Sequence, residues 1–74
     1  MCGLFGFLHY GRNKIKNLSY ITNVLAEEAA VRGTDATGIA YNLKGKLCID
    51  KNSKSAYEMT FKHSNNVTAL IGHT

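Results

Sequence analysis

The chain has 74 residues, 45% of them hydrophobic and 19% charged, with a formal net charge of +4 and no proline. That length suits at most one small domain, and a domain this short is marginal without staples or partners. No apolar stretch is long enough for a membrane span or the core of a secretory signal, so the chain reads as soluble and cytoplasmic.

Residues 3–8 are short, apolar and rich in Phe and Leu, which predicts a buried first strand with a turn at Tyr10-Gly11-Arg12-Asn13 after it. From Ile15 the apolar positions Leu18, Ile21, Leu25 and Ala29 recur at three and four residues, while Lys16, Asn23 and Glu27 occupy another face. This predicts an amphipathic helix, ended by Arg32 and Gly33, the glycine supplying positive φ for a sharp exit. Residues 37–41 and 46–50 then read as two strands joined by a turn at Asn42-Leu43-Lys44-Gly45, a β-hairpin. Ser55-Ala56-Tyr57-Glu58 has the spacing of a capping box and predicts a second helix over residues 56–63. Asn65-Asn66 turns the chain into a last strand over residues 67–71. The order β-α-β-β-α-β has no internal repeat and contains an antiparallel pair, so the fold class is α/β, in the broad sense that includes α+β.

Several chemistries find little support. The two cysteines, Cys2 and Cys48, form a poor disulfide framework, and nothing points to an oxidising compartment. Cys48 alternates with Leu47 and Ile49 in a strand, which suits core packing. His9, His63 and His73, even with the cysteines, have no metal-site spacing, and no pattern calls for a cofactor. The lysines are scattered rather than gathered into an aromatic-rich basic stripe, which argues against nucleic acid as a partner.

Cys2 is different in kind. Removal of Met1, which small residues at positions 2 and 3 favour, makes it the N-terminal residue and puts a thiol and a free α-amine on one residue. An α-amine titrates near 7.7 to 8.0, so roughly a tenth of it is free base at neutral pH, enough to take the thiol proton; a lysine would be far too protonated. With Met1 retained, that base is missing. The competing reading of Cys2 is a small buried hydrophobe near a terminus. Arg32, Gly33 and Asp35 likewise admit two readings: a loop bracing a neighbouring N-terminus through a fixed Arg32 and Asp35 pair, or a helix-ending turn with a surface ion pair worth about 0 to 1 kcal/mol. His73 taken alone reads as a partly exposed terminal histidine.

Three motifs, each weak alone, are strong in register: Met1-Cys2-Gly3-Leu4-Phe5-Gly6, then Arg32-Gly33-Thr34-Asp35-Ala36-Thr37-Gly38-Ile39-Ala40, then Gly72-His73-Thr74. In order and spacing they resemble class II glutamine amidotransferases, which are N-terminal-nucleophile hydrolases. The resemblance runs the length of the chain and corresponds to roughly the first third of that family's glutaminase domain.

The resemblance implies a partial αββα sandwich, with residues 1–74 one incomplete unit of it. It implies Cys2 as nucleophile toward the side-chain amide of L-glutamine, giving a glutamyl thioester and ammonia. Gly3, Arg32, Gly33 and Asp35 would support the nucleophile, and His73 and Thr74 would line the glutamine pocket. The family usually has Asp-Ser where this chain has Asp35-Ala36, which removes one hydroxyl. Its oxyanion-hole Asn-Gly pair, its carboxylate-binding arginine and its amine-binding aspartate all follow the Gly-His-Thr segment. The 74 residues alone are therefore expected to lack glutaminase turnover, so whether they act as an enzyme is open. They would require the remainder of the domain or a second chain, a copy of themselves included. The alternative function is a non-catalytic interaction or assembly module that keeps the family fold.

Overall fold

A computed structural model describes residues 2–9 and 15–74, so Met1 and the turn expected at residues 10–13 lie outside the described residues. The elements are β1 (Leu4–Leu8), α1 (Leu18–Ala29), β2 (Thr37–Leu43), β3 (Lys46–Asn52), a single 3₁₀ turn (Ala56–Glu58) and β4 (Ala69–His73). The result is a small α+β unit. One helix lies against a four-stranded antiparallel sheet of order β1-β4-β2-β3. No helix among the described residues is long and apolar enough to cross a membrane.

The hairpin forms as the sequence predicts, with tighter geometry. Lys44 and Gly45 have φ of 52° and 79°, the positive pair that a two-residue turn needs to match the twist of its strands. Both strands extend two residues beyond the expected ends, with Thr37 opposite Asn52 and Leu43 opposite Lys46. β4 then inserts between β1 and β2, so the first and last strands are neighbours.

α1 begins at Leu18 rather than Ile15 because Asn17 is left-handed, with φ 61°, and its side chain makes no cap. The cap comes from far along the chain: Asn65 Oδ1 accepts the Leu18 N–H at 2.9 Å. The helix buries Leu18, Thr22 and Ala26, with Ala30 continuing the same line, a stripe repeating every four residues. Ile21 packs half-buried beside it.

The second helix expected over residues 56–63 does not form. Only one turn is made: Ser55 Oγ accepts the Tyr57 N–H at 3.0 Å, and Glu58 N–H bonds the Ser55 carbonyl. From Met59, with φ −139° and ψ 162°, the chain is extended along α1. There, helix side chains take the place of a neighbouring strand. Asn23 accepts the Phe61 N–H at 2.7 Å and donates to the Phe61 carbonyl at 2.8 Å, and Ser19 does the same for both backbone groups of His63. With its backbone groups satisfied this way, the segment has no need of a helix. Phe61, fully buried, is the apolar anchor of the arrangement.

The last strand is shifted two residues from the expected 67–71. Val67 is fully buried ahead of it, and His73 lies within it.

The two faces of the sheet differ. On the α1 side, Ile39, Leu70, Phe5, Phe7 and Tyr41 join the core with Ala56, Phe61 and Val67. The opposite face is bare. Its rows run Leu4-His73-Gly38-Lys51, Gly6-Ile71-Ala40-Ile49 and Leu8-Ala69-Asn42-Leu47. Leu4, Leu8, Leu47, Ile49 and Ile71 on it are each between 65% and 79% exposed.

Candidate functional site

Gly3 fixes the position of Cys2. It is buried where the end of α1 meets the end of β4, and its carbonyl accepts the Thr74 N–H at 2.9 Å. A Cβ at this position would overlap the Ala29 carbonyl oxygen and Thr74 Oγ1. The Thr74 hydroxyl donates to that same Ala29 carbonyl at 2.9 Å. The first strand, the helix end and the last strand are thus tied together one residue after the cysteine.

Cys2 itself is exposed and carries a free thiol. It opens onto a cleft of about 610 Å³ lined by residues 2–6 and by Leu25, Glu28, Ala29 and Arg32. The cysteine and the arginine singled out from the sequence, thirty positions apart, therefore share one cleft.

Arg32 is exposed, and its backbone N–H bonds the Ala29 carbonyl at 3.0 Å. Gly33 closes the next turn onto Ala30 at 3.1 Å. Positive φ occurs at Asn17, Lys44 and Gly45 among the described residues and not at Gly33, so the exit from the helix is made by consecutive tight turns rather than a left-handed glycine. Asp35 is exposed, does not line the cleft and forms no ion pair with Arg32, so the fixed pair expected from the sequence is not made.

The two pocket positions of the Gly-His-Thr segment part company. Thr74 is buried as the clamp on Gly3. His73, between Leu4 and Gly38, is exposed on the bare sheet face. Its hollow, about 880 Å³ and the larger of the two, is mainly apolar, with Ile49 and Ile71 along its walls and no thiol. Size alone would select that hollow; Cys2 lies in the other. Gly72 has a packing role, since a Cβ there would overlap the Phe5 ring.

Glu28 had no part in the sequence reading, and His63 entered it only as a histidine without metal-site spacing. Glu28 stands in the last turn of α1 and lines the cleft with Cys2; an acid at the negative end of a helix is a legible signal. His63 is half-buried beside the rings of Tyr41 and Phe7, at centroid distances of 5.4 and 6.3 Å. Its Nδ1 donates to the Ser64 carbonyl at 3.0 Å and its Nε2 lies 2.6 Å from Thr22 Oγ1. These partners make it a brace between α1 and the extended segment. Burial, then the neighbouring Cys48 and Asp50 on the facing strand, push the Tyr41 phenol above its usual 10.0.

Among the described residues no group of three or more His, Cys, Asp or Glu is placed to hold a metal ion. The chain matches no protein-family model, and neither a curated protein nor a solved structure matches it.

Proposed function

We propose that these residues carry the nucleophile half of a class II glutamine amidotransferase site, with Cys2, freed of Met1, attacking the side-chain amide of L-glutamine. The observation that carries this reading is the cleft shared by Cys2 and Arg32, together with a Gly3 that admits no side chain. The α-amine takes the proton from Sγ, and the thiolate bonds to the amide carbon to give a tetrahedral oxyanion. Collapse breaks the C–N bond, the ammonium returns its proton to the leaving nitrogen, and ammonia departs from a glutamyl thioester. Water then releases glutamate and restores the thiol. Arg32, in the same cleft, is the cation available to that thiolate.

The finer fold belongs to the same proposal. A sheet covered by a helix on one side and apolar on the other suits an αββα sandwich, in which a second sheet packs face to face at about 10 Å. Oxyanion donors and the groups that grip the glutamine backbone would come from that further layer. The test is covalent labelling of the chain as the cell makes it, with the glutamine-like electrophile diazo-oxo-norleucine and the adduct mapped by mass spectrometry. The adduct is expected on Cys2 and not on Cys48, and only where Met1 is absent. Equal labelling of both cysteines, or none on a Met1-free chain, overturns the mechanism.

The bare face also favours a second reading, a non-catalytic assembly module whose apolar sheet is its contact surface. In that case Cys2 is no more reactive than Cys48.

A further inference from the structure

We propose that Glu28 is a positioning residue for the catalytic base, its carboxylate holding the α-ammonium that Cys2 gains on loss of Met1, in the cleft that both residues line with Arg32. This rests on the reading of Cys2 as an N-terminal nucleophile and adds to it a residue that none of the three motifs contains. Glu28 and Arg32 are four residues apart with the acid first, the orientation in which a helix-surface ion pair is favoured. They form no such pair, and both line the cleft that Cys2 enters.

The local field points the same way. The last turn of α1 contains no basic residue, and the helix end carries the partial negative charge of its unpaired carbonyls. Glu28 adds a full negative charge there, an unfavourable placement unless a cation sits opposite. Loss of Met1 supplies one at Cys2. Gly3 lies against the Ala29 carbonyl, and the residue before it, Cys2, lines the cleft at this same helix end.

Once the proton has passed from Sγ to the α-nitrogen, Cys2 is a zwitterion with one charge of each sign. The cleft offers a carboxylate and a guanidinium to meet them, and the transfer leaves net charge unchanged. The charged groups facing Cys2 are Glu28 and Arg32; Asp35 and His73 are not among the residues lining the cleft. A carboxylate beside an amine favours the charged form and so makes it the stronger base.

The experiment is an NMR titration of the Cys2 α-amine in the Met1-free chain, carrying isotope-labelled cysteine. Glu28→Gln is expected to lower the midpoint by about half a pH unit or more, roughly a threefold change in proton affinity. Glu28→Asp should recover part of that shift, and Glu27→Gln should leave the midpoint in place. Because Glu28 is exposed, the Gln variant should keep the wild-type amide spectrum away from the cleft. An unmoved midpoint in Glu28→Gln overturns the assignment. The titration uses no glutamine, so the two readings fail separately. A shifted midpoint with an unlabelled Cys2 would remove the glutaminase reading alone, and a labelled Cys2 with an unmoved midpoint would remove the Glu28 role alone.

Discussion

Gly3 shows how a motif glycine is fixed by packing rather than by dihedral freedom. Its φ is not positive; what excludes a side chain is the Ala29 carbonyl on one side and the Thr74 hydroxyl on the other. The carbonyl is backbone and cannot swing away. Gly3→Ala is therefore expected to lower stability by about 1 to 3 kcal/mol, the usual cost of forcing volume into a closed site. Chemical denaturation measures it, and a midpoint equal to wild type would contradict the packing account. The same substitution should shift Cys2 away from Arg32. At this level the sequence picked out Cys2 and Arg32 by their chemistry, and what the structure adds is that the two line one cleft. The sequence was not legible for Thr74, whose value lies in where its backbone and hydroxyl fall relative to a residue 71 positions away, nor for Asp35, whose partner was inferred from nearness in sequence.

The strands and the hairpin could be read from alternation and turn chemistry, which are local properties. The second helix failed because its signal was also local, and a non-local partner won. Ser19 and Asn23 on α1 satisfy the backbone of residues 61 and 63, an arrangement that no window on residues 56–63 contains. The start of α1 carries the same lesson, since its cap is Asn65 and not a residue next to the helix. Asn65→Ala leaves the Leu18 N–H without its acceptor and should cost about 1 kcal/mol, the typical value of a helix cap. Asn66→Ala is the comparison, because none of the described hydrogen bonds uses the Asn66 side chain; its backbone N–H goes to Ser64 Oγ. Hydrogen exchange should show the loss concentrated in the first turn of α1. Equal destabilisation by the two substitutions would mean that the cap is not what Asn65 contributes.

The sheet as a unit has one face covered by the helix and one face left bare. With strand order β1-β4-β2-β3, every strand sends alternate residues away from α1, and apart from His73, Lys51 and Asn42 the residues in those rows are Leu, Ile, Ala and Gly. The sequence hid this, because a strand buried on both faces and one buried on a single face look alike over five apolar residues. An uncovered apolar face of this kind drives association unless another layer meets it. Ile71 stands near its centre, 71% exposed and flanked by Gly6 and Ala40. Ile71→Lys places a charge there without touching the core on the helix side, so the unfolding midpoint should move by no more than about 0.5 kcal/mol, as for an ordinary surface substitution. Binding of a hydrophobic dye and concentration-dependent sedimentation should both fall. If the isolated 74 residues sediment as a dye-silent monomer before any substitution, the face is not the contact surface that its composition describes. If Ile71→Lys unfolds the chain, that residue belongs to a core, and the face is covered in solution.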